Sequence, residues 1–142
     1  MCSKRLLSLI AVLTLVIAIT PASGQEPDSV APVNDLTVAD MAFGSGYDYT
    51  TRTLTEEGDT FPAGTEVIWC RTRVTGADGS ATVTHVWYRD GKTMARVELK
   101  IASGSYRTVS SKKLLPEWTG RWEVKVLDEA GTVLRAESFT VE

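Results

Sequence analysis

His85 is the single histidine of the chain and Cys70 one of its two cysteines, so these side chains are the first to test for chemistry. A thiol nucleophile needs a base within hydrogen-bond reach, and imidazole is the usual partner. The register derived below sends Cys70 and His85 to opposite faces of a sheet, which makes Cys70 a buried structural residue. A metal site on His85 would need carboxylates or Cys70 at ligand spacing, and the sequence offers no such cluster. Ser110 and Ser111 have no base supplied by any motif, and G-x-S-x-G is absent. Glu56-Glu57 fall in a solvated turn. Gly44-Ser45-Gly46 follows an apolar stretch but opens no helix, so phosphate-loop and dinucleotide readings fail. The expectation is a protein that is not an enzyme and takes no cofactor and no metal.

The elements that would position these residues read as short β-strands from Leu36 onward, with no convincing helical spacing. Gly76-Ala77-Asp78-Gly79 separates Glu66–Val74 from Ala81–Arg89. Asp90-Gly91 separates that run from Thr93–Ala102, and Asp-Gly between alternating runs is a strong hairpin signal. Further strands are expected at Leu36–Phe43, Tyr106–Lys113, Arg121–Leu127 and Thr132–Val141. About seven strands with regularly spaced turns predict an all-β fold, an immunoglobulin-like antiparallel β-sandwich. Gly44–Gly64, with Tyr47, Tyr49 and many threonines, fits either a hairpin or a long surface loop.

Treating both central turns as hairpins sorts the side chains onto two faces. Trp69 then lies opposite Trp87, Arg71 opposite His85, Trp87 opposite Met94 and His85 opposite Arg96. One face collects Ile68, Cys70, Val74, Val86, Tyr88, Ala95, Val97, Leu99 and Ile101. The other carries Trp69, Arg71, Arg73, His85, Trp87, Arg89, Met94, Arg96, Glu98 and Lys100, and its charges direct it to solvent. Large exposed aromatics beside cations suggest a ligand surface. Two structural readings compete: cross-strand aromatic pairs stabilise sheets without any ligand, and the Gly44–Gly64 segment could fold over the patch. A slip of one residue would exchange the faces.

The first residues carry an address. Lys4 and Arg5 precede an apolar run from Leu6 to Ile19, and Ala22-Ser23-Gly24 supplies small residues for cleavage, so residues 1–24 read as a signal peptide. The run is too short for a comfortable span of roughly 20 apolar residues. A membrane association is expected only if this segment is retained. Residues 25–34 read as a flexible spacer and 35–142 as one domain of ordinary size. Cleavage leaves 13 of the 15 basic residues against 18 acidic ones, a net charge of −5. That acidity, without any Lys/Arg run, argues against nucleic acid as a partner. Cys2 departs with the signal, so no internal disulfide is expected and the core must hold the fold together.

Three runs in the second half carry a resemblance: His85-Val86-Trp87-Tyr88, then Arg107 followed by Ser110-Ser111-Lys112, then Gly120-Arg121-Trp122-Glu123-Val124-Lys125-Val126. Together they resemble the bacterial family known only as domain of unknown function DUF2914, over roughly Leu36 to Val141 and most densely from His85 on. The resemblance implies an exported or membrane-associated β-domain and brings no activity or catalytic residues with it. Gly120 reads as a turn residue and Trp122 as core. Arg107 and Lys112 have opposite phase on a regular strand, so they do not share a face unless a bulge intervenes.

The expected function is therefore a periplasmic or extracellular, non-catalytic binding module of the cell envelope, with a glycan bound through the aromatic and cationic face. The alternative is a protein–protein interaction or structural module of an envelope assembly. The candidate ligand-binding residues are Trp69, Arg71, His85, Trp87, Arg96, Arg107 and Lys112.

Overall fold

The computed structural model describes residues 35–142; the signal peptide and spacer expected over residues 1–34 lie outside the described residues. Nine strands follow in order: β1 (Thr37–Asp48), β2 (Thr53–Glu57), β3 (Thr60–Phe61), β4 (Val67–Thr75), β5 (Ala81–Arg89), β6 (Lys92–Ile101), β7 (Ser105–Lys113), β8 (Gly120–Leu127) and β9 (Val133–Val141). The described residues contain no helix. All seven expected strands are present, and the segment Gly44–Gly64 adds an extension of β1 together with β2 and β3.

The strands form two sheets, β2-β1-β4-β7 and β3-β9-β8-β5-β6, antiparallel throughout except for the short parallel pair β3–β9. One core draws on both sheets: Val38, Met41, Phe43, Ile68, Cys70 and Val74 from the first, and Val83, Trp87, Ile101, Trp122, Val124, Val126 and Phe139 from the second. Phe139 is its aromatic centre, stacked on Trp122 (centroids 5.9 Å apart, planes 8° from parallel), tilted against Phe43 at 4.8 Å and edge-on to Trp87 at 6.1 Å. Offset and edge-to-face rings of this kind add to the stabilisation from burial alone. Trp122 Nε1 donates to the Trp118 carbonyl at 3.2 Å, so the indole enters the core without an orphaned N–H.

The two turns that set the expected register behave differently. Asp90-Gly91 does close a hairpin, with both residues at positive φ (49° and 78°), as a two-residue turn with matching twist requires. Gly76–Gly79 does not, because β4 pairs with β1 and β7 whereas β5 pairs with β6 and β8. This four-residue turn carries the chain from one sheet to the other. Trp69 therefore does not lie opposite Trp87, nor Arg71 opposite His85.

Candidate functional site

The β5–β6 pairing contains a bulge that reverses the faces of one strand. Arg89 pairs with Lys92 and Tyr88 with Thr93, but Trp87 pairs with Ala95 and His85 with Val97, so Met94 is the extra residue. An inserted residue of this kind shifts every later pair by one. The consequence is a correction: His85 and Trp87 point inward and are 0% exposed, not solvent-facing. Val86 and Tyr88 take the outer face instead, and Val86, although buried, is not part of the core cluster. On β4 and on β6 past Met94 the expected sorting agrees with the structure, with Ile68, Cys70, Val74, Val97, Leu99 and Ile101 toward the core and Arg73, Arg96, Glu98 and Lys100 exposed, whereas Met94, expected on the solvent face, packs against the core.

The seven candidate residues consequently separate. His85 and Trp87 lie in the core. Arg96 is on the outside of the five-stranded sheet, in a depression whose other charged residues are Glu98, Asp128 and Glu129. Lys112 sits 5.1 Å from the centroid of the Trp118 ring, a cation–π contact at one end of β7. Only Trp69, Arg71 and Arg107 share a surface, the outer face of the four-stranded sheet, where β4 and β7 pair Trp69 with Ser111, Arg71 with Val109 and Arg73 with Arg107.

The hairpin of β1 and β2 returns across that face. Tyr47 stacks on Trp69 (5.5 Å, 22°), and Tyr49 meets both rings edge-on at 5.0 and 5.7 Å. The bend depends on Gly44, opposite Trp69 in the ladder, because a Cβ there would lie 2.7 Å from the Thr55 carbonyl oxygen. The turn is tied by Asp48, whose Oδ1 accepts from the backbone N–H groups of Thr50 (2.8 Å) and Thr51 (3.2 Å). Those bonds, that from Thr51 first, hold the Asp48 carboxyl below its ordinary range. Arg71 is enclosed under the hairpin with 17% of its side chain exposed, bonded to Asp40 at 2.9 Å and within 3.9 Å of Glu57. Tyr49 as a whole remains 71% exposed.

At the hairpin tip Thr51 and Arg52 join Arg73, Ser103, Ser105, Tyr106 and Arg107 around a depression of roughly 560 Å³. Three arginines and no acid line it. Arg52 is held at φ 57°, an uncommon conformation for a residue with a Cβ. Arg73 and Arg107 face each other across paired strands, an arrangement of like charges that destabilises a sheet. Arg73 Nε makes one long bond to Ser105 Oγ at 3.4 Å, and among the described residues none of the three arginines is in an ion pair. The sequence offers no register for Gly44–Gly64 from which to place Tyr49 and Arg52, and Ser103 and Ser105 fall in and beside the β6–β7 connection, where alternation says nothing. Their signal was the Tyr47/Tyr49 pair beside the tip.

Ser110 does meet a base, against expectation. His85 Nδ1 lies 2.6 Å from Ser110 Oγ, His85 Nε2 lies 3.1 Å from Thr72 Oγ1, and Trp87 Nε1 donates to Ser110 Oγ at 3.2 Å. A serine beside an imidazole is the start of a nucleophile, but Ser110 is buried between the sheets and the second ring nitrogen meets a threonine, not a carboxylate. Burial pushes the His85 pKa down to about 4, so the ring is neutral near pH 7. Burial likewise drives the Cys70 thiol far above its usual range. Among the described residues no group of three or more His, Cys, Asp or Glu is placed to hold a metal ion. No helix among them is long and apolar enough to cross a membrane.

Comparison with known proteins adds the following. Residues 80–141 match the family described as "Protein of unknown function (DUF2914)", the family that the motifs of the second half resemble. No curated protein matches the chain. Among solved structures, a crystal structure of beta-glucosidase from Kluyveromyces marxianus is similar over 75% of this chain and 14% of that one, at 14% identity and a TM-score of 0.43. The chain thus spans about a seventh of that enzyme's length.

Proposed function

We propose that this chain, whose residues 80–141 match the DUF2914 family of unknown function, is an exported, non-catalytic binding module of the cell envelope that holds a glycan at the tip of its β1–β2 hairpin. The observation that carries the reading is Tyr49: a largely exposed residue, braced edge-on by Tyr47 and Trp69, on the same turn as Thr51 and Arg52, which line a depression shared with Arg73, Ser105 and Arg107. Flat aromatic area supplies affinity for a sugar ring, and a few fixed polar groups supply orientation. Bracing matters because a side chain already held in place loses little freedom on binding.

Of the two tryptophans expected on one outer face, Trp87 is buried and takes no part in the site. Trp69 contributes as the support of Tyr49, Arg71 as the internal tie between hairpin and sheet, and Arg107 as a wall of the depression. An immunoglobulin-like sandwich belongs to the same proposal, supported by a four- and a five-stranded sheet around one core with β4 and β5 in different sheets.

The test is a glycan array probed with the mature chain and with Tyr49→Ala. Retained folding with loss of every array signal supports the reading, since Tyr49 is exposed and outside the core. Equal binding by both proteins overturns it.

A further inference from the structure

We infer that the saccharide recognised at the hairpin tip is anionic, and that Arg52, Arg73 and Arg107 form the subsite for its charged group, a carboxylate or phosphate borne on the sugar. This rests on the glycan reading above and adds the ligand's charge class.

Three independent features lead there. The first is composition: the depression at the tip is lined by three arginines, by Thr51, Ser103, Ser105 and Tyr106, and by no acidic residue. The depression beside Tyr88 mixes Asp90 and Glu123 with Arg121 and Lys125, and the one beside Arg96 holds three acids. In a chain of net charge −3, a pocket walled only by cations departs from the surface around it.

The second feature is cost. Three guanidinium groups around one depression repel one another, and no lining carboxylate offsets them. Arg73 and Arg107 stand directly opposite in the β4–β7 ladder, and Asp40, the residue opposite Arg73 on β1, is ion-paired to Arg71 instead. Elsewhere the same sheet does use such pairs, Arg71 with Asp40 and Glu57.

The third feature is the donor set. Guanidinium forks match the two oxygens of a carboxylate or phosphate, and serine or threonine hydroxyls complete the ring of donors around such a group. The Asp48 ties hold the backbone of the turn that carries Arg52, and that turn brings Arg52 to the same depression as the two strand arginines. Tyr49, on the same turn, would lie against the sugar ring whose charged substituent reaches the arginines.

Calorimetric titrations of the mature chain with trigalacturonate, mannose 6-phosphate, maltotriose and inorganic phosphate test this, alongside the variants Arg73→Gln/Arg107→Gln and Tyr49→Ala. The expected result is binding of trigalacturonate or the sugar phosphate that weakens steeply with added salt. The double arginine variant should bind roughly tenfold or more weakly, while melting at the same or a higher temperature because like charges are removed. Binding of maltotriose equal to that of the charged sugars, unaffected by the arginine substitutions but lost in Tyr49→Ala, would overturn the anionic assignment and leave the glycan reading intact. Equal affinity for inorganic phosphate and mannose 6-phosphate would overturn the assignment to a saccharide. No binding of any probe, together with a blank glycan array, would sink both.

Discussion

His85 on β5 and Ser110 on β7 belong to different sheets, and their side chains meet at 2.6 Å in the middle of the core. With the neutral ring protonated on Nε2, each polar group at this junction finds a partner. Trp87 Nε1–H donates to Ser110 Oγ, Ser110 O–H donates to His85 Nδ1, and His85 Nε2–H donates to Thr72 Oγ1. A motif that looks like chemistry, H-x-W with a downstream Ser-Ser, is in this chain a polar fastener between two sheets. Buried networks stabilise only when every member is satisfied, and here four side chains close on one another.

The junction predicts an acid-sensitive fold. The folded-state pKa of His85, about 4, lies below the 6.5 of a free imidazole, so the unfolded chain binds the proton more readily. Stability is full above pH 6.5 and falls as the pH drops from there toward 4, by up to about 3 kcal/mol. Urea midpoints at pH 7.5, 6 and 5 should decline more steeply for the native chain than for His85→Gln, whose side chain does not titrate. Parallel slopes in the two proteins would contradict this account.

The two central tryptophans should respond very differently to truncation. Trp87→Ala removes a fully buried indole and leaves Ser110 short of a donor, so a loss of about 3–5 kcal/mol is expected. Trp69→Ala removes a half-buried ring stacked on Tyr47, at a cost of roughly 1–2 kcal/mol. Chemical denaturation of the two variants measures the difference, and similar losses would mean that the two indoles share one environment.

That contrast also shows where the sequence was legible. Strand β4 is readable because its phases differ sharply: Ile68, Cys70 and Val74 against Trp69, Arg71 and Arg73. Strand β5 is not, since Val86 and Tyr88 on one phase look as apolar as Val83 and Trp87 on the other. Its facing was borrowed from two assumed hairpins. One of these was a crossing between sheets, and the other concealed a bulge at Met94. A period of two has no tolerance for one extra residue. The hairpin over the outer face was equally hard to place, for its contacts are to β4 and β7, far along the chain, and the bend at Gly44 leaves no trace in an alternation pattern. The arginine pocket is built from three such distant segments.

Cys70 offers a test of the core that needs no mutation. Its thiol is wholly buried, and burial keeps it protonated, so the reactive thiolate is absent in the folded state. Iodoacetamide at pH 8, with the adduct located by peptide mapping, should modify Cys70 only as fast as the protein unfolds, and the rate should rise with urea along the unfolding transition. Rapid labelling without denaturant would show that the space between the sheets is open.

Gly44 and Gly46 distinguish a bend that cannot yield from one that can. A Cβ on Gly44 would approach the backbone oxygen of Thr55 to 2.7 Å and Leu54 Cβ to 3.1 Å, and neither atom can move without displacing β2. A Cβ on Gly46 would overlap Thr55 Oγ1, the end of a side chain that can rotate away. Gly44→Ala should therefore cost about 1–3 kcal/mol and release the hairpin, while Gly46→Ala costs less. Because Tyr47 and Tyr49 are held on Trp69 by that hairpin, release would appear as a weakened near-ultraviolet circular dichroism signal and as loss of ligand binding at the tip. If Gly44→Ala kept both the aromatic signal and the binding, the hairpin would not need its bend at residue 44 to cross the sheet.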